Sequence, residues 1–308
     1  MKKTLMSALA SCLLLSATYA KAELSATIVG SGSPVFNESR ASASVLISNA
    51  NTKILLDMGN GTQANLAELK VSDKGLDALM FTHHHLDHNE EFLPILVHSL
   101  LGKQNFMIYG PPNTQKMAQS FITLFEDDIE YRLSKSKRSL SDRKNSYQVQ
   151  DLQGGETFTI GGIKVTSLKV PHTIYALAYR FDYQGESIVV TGDLTYTDKL
   201  ADFANGVNYL VIDSGGMQMT LINNRKAKNK SNKSTQRVRK ASKTTRNGKV
   251  IAHLNLAESS QIAKDAEVKN LVYTHFAKGV VNEAASLGII RERFQGKVIF
   301  AEDLMVLD

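Results

Sequence analysis

The chain has 308 residues, 43% hydrophobic and 21% charged, with eight histidines, one cysteine and a formal net charge of +6. This balance excludes a disordered or fibrous chain and allows a large buried core. One cysteine excludes a disulfide framework.

The first segment reads as a secretory signal. Lys2 and Lys3 precede an apolar run over residues 5–15, and Ala20-Lys21-Ala22 fits the small-x-small cleavage pattern. The expectation is a signal peptide over 1–22 and one domain over 23–308, placed in the periplasm or secreted. The apolar run is too short to span a bilayer, so no transmembrane segment is expected after cleavage. Cleavage also removes Cys12 and three lysines, leaving 33 basic against 30 acidic residues.

Beyond it, short apolar runs end repeatedly in polar residues. Residues 24–29 give way to Gly30-Ser31-Gly32-Ser33-Pro34, and 53–56 to Asp57-Met58-Gly59. The same happens at 163–170 before Pro171-His172, at 187–191 before Gly192-Asp193, and at 209–212 before Asp213. Val250 and Ile251 lead to His253, and 271–274 lead to His275. Such runs fit buried strands, and strand ends give functional groups a rigid support with an open face. Helical stripes occupy 89–101, 114–126 and 255–268, the last opening on an Asn255/Glu258 capping box. Strands mixed with helices predict an α/β layered fold.

Two stretches break the pattern. Residues 131–144 are rich in Ser, Lys and Arg, and 225–249 hold eleven Lys and Arg and no acid. Low hydrophobicity with unbalanced charge predicts a mobile loop in the second, near the cleft mouth, where it could draw in anions. It lacks aromatic residues for base stacking, which disfavours a nucleic-acid partner without excluding one.

The chemistry concentrates in Phe81-Thr82-His83-His84-His85-Leu86-Asp87-His88, which follows an apolar run over 76–81. Neutral imidazoles and carboxylates are good ligands for zinc-like ions. Later strand ends add His172, Asp193 and His275. One ion would then take His83, His85 and His172, and a second Asp87, His88 and His275, with Asp193 bridging. Two cations about 3.5–4 Å apart can hold a bridging hydroxide at neutral pH. His84 reads as a spacer, His98 as a core histidine, and Asp57 as a support for the ligand rings. Asp213 is evenly placed between a turn and a site role.

The set His83-x-His85-x-Asp87-His88, Val170-Pro171-His172, Thr191-Gly192-Asp193 and Thr274-His275 resembles the metallo-β-lactamase superfamily over the whole mature chain. Within it, residues 251–276 resemble the ribonuclease Z and bacterial arylsulfatase branch. The resemblance implies a four-layer αβ/βα sandwich, two zinc ions, and an anion-contacting catalytic role for His253. Asp87 and Asp193 would fix and orient the hydroxide. The chain departs from ribonuclease Z where that family carries its tRNA-gripping arm. Only about twenty residues separate His172 from Asp193, and they read as a strand pair with a Gln184-Gly185 turn. The expected function is a secreted zinc hydrolase of a small anionic ester, either a sulfate ester or a phosphodiester. The alternatives are a lactone or other carboxylic ester hydrolase on the same metals, and a non-enzymatic anion- or polymer-binding protein.

Overall fold

A computed structural model describes residues 24–102, 105–143, 145–220, 245–246 and 249–308. The expected signal peptide and most of the basic stretch 225–249 lie outside these residues. Among the described residues, no helix is long and apolar enough to cross a membrane.

Two seven-stranded sheets form the body. The first takes β1 (Ser25–Gly30), β2 (Ser44–Ser48), β3 (Lys53–Leu56), β4 (Ala78–Met80), β5 (Phe106–Gly110) and β6 (Tyr147–Asp151) in sequence order. The second begins with β7 (Thr157–Ile160), β8 (Ile163–Val170), β9 (Ala176–Tyr183), β10 (Glu186–Val190) and β11 (Tyr209–Asp213). It continues with β12 (Asn270–Thr274) and β13 (Lys297–Phe300). The last strand, β14 (Met305–Leu307), returns to pair with β1 at the edge of the first sheet.

Each sheet is antiparallel at first and then parallel. Strands β1 to β3 and β7 to β10 pair antiparallel. From β3 to β6 and from β10 through β11 and β12 to β13 the pairing is parallel. Parallel neighbours need a crossover, and helices supply it. In the first sheet these are α1 (Thr62–Glu68), α2 (Phe92–Leu101), α3 (Thr114–Leu124), α4 (Glu126–Ser134) and α5 (Leu140–Arg143). In the second they are α6 (Lys199–Phe203), α7 (Leu256–Asp265) and α8 (Glu283–Ile290).

Side-chain alternation sorts the layers. Ile54, Leu56, Ala78 and Met80 join the core that also holds Leu177, Tyr179, Phe181 and Ile188 of the second sheet. Their neighbours Leu55, Leu79 and Phe81 point the other way, onto Phe92, Ile95 and Leu96 of α2. Helices thus cover the outer faces of two face-to-face sheets, the expected four-layer α/β sandwich. Each such fully buried side chain contributes roughly 1.5–3 kcal/mol.

Several predicted boundaries shift for local reasons. Helix α2 starts at Phe92, because Glu91 accepts hydrogen bonds from Gly61 N (2.7 Å) and Gln63 N (2.6 Å) instead of joining the helix. Helix α7 stops at Asp265, since Glu267 takes a left-handed φ of 51°. Its capping box forms as expected between Asn255 and Glu258. Helices enter the stretch 131–144, where α4 runs to Ser134 and α5 covers Leu140–Arg143. Ile129 and Leu133, four apart, bury one stripe and hold α4 in place. Within 225–249, the described part is a short antiparallel pair, Thr245–Arg246 with Lys249–Val250.

Candidate metal centre

All seven predicted ligands converge at the ends of strands. His83 to His88 follow β4, with Leu86–His88 wound into one 3-10 turn. His172 follows β8, Asp193 follows β10, and His275 follows β12. Two backbone ties join the sheets here: Leu177 N donates to Thr82 O (2.8 Å), and Gly32 bridges Phe276. Gly192, at φ 58°, is confined to glycine, because a Cβ there would lie 2.5 Å from the Thr82 Cβ.

Partners on the far side of each ring set the tautomers. The Thr82 hydroxyl donates to Asp57 Oδ2 (2.7 Å), so it accepts from His83 Nδ1–H (3.0 Å) and leaves Nε2 facing the site. His88 Nδ1 donates to Asp57 Oδ2 (2.8 Å), and His172 Nδ1 donates to the Ala252 carbonyl (2.9 Å). Asp57 therefore supports two ligands, as expected of it. Its Oδ1 also accepts from Thr82 N (2.8 Å).

The inward nitrogens crowd together. His85 Nδ1 lies 3.0 Å from His83 Nε2 and 3.2 Å from His172 Nε2. A tetrahedral ion with nitrogen bonds of 2.0–2.1 Å would set such edges at about 3.3 Å. In the second group, His275 Nε2 lies 3.1 Å and His88 Nε2 3.6 Å from Asp87 Oδ2. Asp193 stands between the groups. Its Oδ2 is 3.9 Å from both His83 Nε2 and His172 Nε2 and 3.5 Å from His275 Nε2, while Oδ1 is 3.7 Å from His88 Nε2. His88 Nε2 and Asp193 Oδ1 are buried with no hydrogen-bond partner. Buried polar atoms left bare in this way fit cation ligation. The donors thus form one set of His83, His85, His172 and Asp193 and another of Asp87, His88 and His275.

The electrostatics of the first group agree. Burial holds His83 well below its ordinary value and lowers His85 and His172, keeping these rings neutral and able to donate lone pairs. Burial also opposes charge on His88, but Asp57 and Asp193 outweigh it and raise that ring. Asp193 is held well below the usual carboxylate range despite burial, by His275 and His88.

His253 stands beside both groups, its ring centroid 6.0 Å from that of His172 and 5.5 Å from that of His275. Its Nδ1 donates to Asp213 Oδ2 (2.8 Å), and Asp213 Oδ1 accepts from Gly215 N (2.6 Å). Burial opposes charge on His253, yet Asp213, Asp193 and Asp87 raise it to about 9. A Cβ on Gly215 would lie 2.0 Å from Leu254 O and 2.6 Å from the His253 Cβ, so only glycine allows this approach. His253, His275, Asp213 and Ser33 line an open cleft of ≈ 260 Å³.

Two residues go elsewhere. His84 turns away to donate through Nε2 to Thr114 Oγ1 (2.9 Å), and His98 pairs with Asp73 Oδ2 (2.7 Å) while half exposed, outside the site. Sequence reasoning undervalued Asp213 and passed over Thr82. For Thr82 the available signal was a polar residue after a buried strand, immediately before the motif.

Fold and donor set define a metal-dependent hydrolase acting on ester bonds. The sequence profile of the Beta-lactamase superfamily domain matches residues 52–276, and the chain belongs to that family. It is 28% identical over 197 residues to ribonuclease Z of Mycobacterium bovis, covering 61% of this chain and 69% of that protein. Ribonuclease Z of Mycobacterium marinum is 25% identical over 289 residues, 90% of this chain and 96% of that protein. Among solved structures, the metallo-beta-lactamase fold protein YhfI of Bacillus subtilis superposes with a TM-score of 0.68 at 19% identity, covering 93% of this chain and 99% of that one. The short form of human tRNase Z gives 0.64 at 18% identity, covering 92% and 98%. These two likenesses concern the fold alone.

Proposed function

We propose that the protein is a two-zinc phosphodiesterase exported from the cytoplasm, with aryl sulfates as the nearest competing substrate class. The observation that carries this reading is His253. Held by Asp213 at 2.8 Å, its ring stands beside both ligand groups, where the neighbouring carboxylates favour its protonated form. A positive ring there suits an ester that is already anionic, and suits a neutral lactone less well. The ribonuclease Z relatives support a diester. A small diester is favoured over folded RNA. Where the ribonuclease Z resemblance would insert its arm, β9 and β10 join through a two-residue turn, with Gln184 at φ 48° and Gly185 at φ 87°.

Zinc, when bound, supplies positive charge for the developing oxyanion and makes water a competent nucleophile at neutral pH. The protein's own groups do the rest. His83, His85 and His172 would hold one ion, and Asp87, His88 and His275 the other, with Asp193 between. Burial opposes the charge on Asp87, but its contact with His275 keeps the carboxyl below its ordinary value. Asp87 and Asp193 can therefore accept hydrogen bonds from the attacking water and orient it. His253 meets the anionic centre and gives a proton to the departing oxygen, while Asp213 holds its ring in place.

The test is a substrate panel on zinc-loaded protein: bis(p-nitrophenyl) phosphate, p-nitrophenyl sulfate and a γ-lactone, each with a chelator control. Diester turnover that the chelator removes is expected. Turnover of the lactone alone would overturn the reading. Deleting residues 226–248 is expected to leave small-substrate turnover intact, whereas a pure binding protein would show none at any stage. Export is tested by N-terminal sequencing of protein from the periplasmic fraction, with a start at Glu23 expected.

A further inference from the structure

One carboxylate far from the ligands in sequence collects an unusual number of donors. Asp303, in the turn between β13 and β14, accepts from Ser31 N (2.9 Å) and Ser31 Oγ (2.6 Å) on Oδ1. On Oδ2 it accepts from Ala41 N (2.6 Å) and Asn65 Nδ2 (3.1 Å). Arg40 joins the cluster: Nη1 donates to Ser31 Oγ (2.6 Å) and Ala301 O (2.9 Å), and its guanidinium lies 4.8 Å from the centre of the Phe276 ring. The whole cluster closes on Ser31.

Ser31 in turn grips the residue after a ligand. Phe276 N donates to Ser31 O (2.8 Å), and Ser33 N donates to Phe276 O (3.1 Å). On the opposite side, Ser214 Oγ donates to the His275 carbonyl (2.8 Å). Between these ties His275 has a φ of 62°. A non-glycine residue keeps that left-handed conformation only where its surroundings over-determine it. The conformation matters, because it aims His275 Nε2 at Asp87 Oδ2 (3.1 Å) and Asp193 Oδ2 (3.5 Å).

We propose that Asp303 is a positioning residue for the second ion: through Ser31 and Phe276 it holds His275 in the backbone conformation that makes it a ligand. The inference rests on the site being a two-ion centre. The competing account is that Asp303 merely ties the chain end to the first sheet. Under that account its loss lowers stability and leaves the metal affinities alone.

Asp303→Asn separates the two accounts. The substitution keeps the shape but puts an NH2 on one side of the hub, so either the Ser31 donors or the Ala41 and Asn65 donors lose their acceptor, and the remaining neutral oxygen accepts more weakly. Glu156→Gln is the control, because Glu156 is a comparable hub with no ligand among its donors, accepting from Gln153 N, Gly154 N and Ser167 Oγ. Stepwise zinc binding is measured by competition with a chromophoric chelator, with melting temperature recorded in parallel. Wild type is expected to bind two ions. D303N is expected to keep one at wild-type affinity and to weaken the other at least about tenfold. E156Q is expected to melt earlier and keep both. If D303N folds poorly, Ser31→Ala, which leaves the backbone ties in place, is expected to weaken the same ion by a smaller factor. Wild-type affinity for both ions in D303N and S31A would overturn the inference, as would equal loss of the second ion in E156Q. Fewer than two ions on the wild type is a different failure, that of the two-ion reading itself.

Discussion

The two ligand groups sit side by side but are held in opposite ways. His83, His85 and His172 are three imidazoles, each held by a hydrogen bond through its outward nitrogen. The second group depends on a carboxylate, on His88 pinned by the buried Asp57, and on His275 in a left-handed backbone conformation. A strained backbone of this kind costs on the order of 1–3 kcal/mol and needs support from elsewhere. Both groups combine the His83–His88 loop with one later strand end. The second adds a left-handed residue whose support comes from segments distant in sequence, and should be the easier to lose.

Asp193 is the one residue both groups share, so removing it gives the largest effect. Asp193→Ala takes a buried acceptor from between His83, His172, His275 and His88. Loss of both ions is expected, with kcat/KM falling by more than about a thousand-fold, equivalent to several kcal/mol of lost transition-state stabilisation. Zinc analysis and kinetics check it. A variant that retained full activity would remove Asp193 from the mechanism.

The next effect separates metal binding from proton transfer. Asp213→Asn leaves every ligand in place, so two ions are expected to remain, while turnover drops by about a hundred-fold or more. The pH profile adds a sign. His253 is raised from 6.5 to about 9, so its charged form persists at neutral pH and is lost as pH rises through that value. Bound cations nearby push it lower, so the alkaline limb of the loaded enzyme should fall below about 9. In Asp213→Asn the limb moves lower still. An unchanged limb would exclude His253 as the proton donor.

How far the sequence revealed this arrangement depended on whether the signal was local. His83, His85, Asp87 and His88 lie in one motif after an apolar run, and His172, Asp193 and His275 each close a β-branched strand. These could be placed because strand ends and ligand chemistry are both local properties. Glu258 and Asn255 likewise announced the start of α7. The Asp213–His253 pair spans 40 positions and was only half legible, since nothing local distinguishes a site carboxylate from a turn carboxylate. Asp303 was invisible for the same reason, as its partners Ser31, Ala41 and Asn65 meet only after β14 crosses back to the first sheet. The helix over Glu126–Ser134 was obscured by composition, where two buried aliphatic residues outweighed a charged surface.

Asp57→Asn is aimed at the second group, whose His88 is held by Asp57 directly, while Asp57 reaches the first only through Thr82. Asparagine tolerates the left-handed φ of 59° found there, so the backbone is preserved while the acceptor for His88 Nδ1–H is weakened. The expectation is a loss of about 10–100-fold in affinity for one ion, with the other nearly unchanged. Equal loss of both would mean that Asp57 acts mainly through Thr82 and not through His88.

Thr82→Val tests that link directly and carries the smallest expected effect. Its hydroxyl accepts from His83 Nδ1–H and donates to Asp57 Oδ2, so one atom connects a ligand of the first group to the support of the second. Valine keeps the shape in a fully buried position packed against Gly192, so the fold should survive with little change. The hydrogen bonds are lost on both sides at once. Both ions are therefore expected to weaken together, each by no more than about tenfold, and Thr82→Ser to restore both. If only the first ion weakened, Asp57 would be holding His88 without help, and the two groups would be independent in spite of their contact.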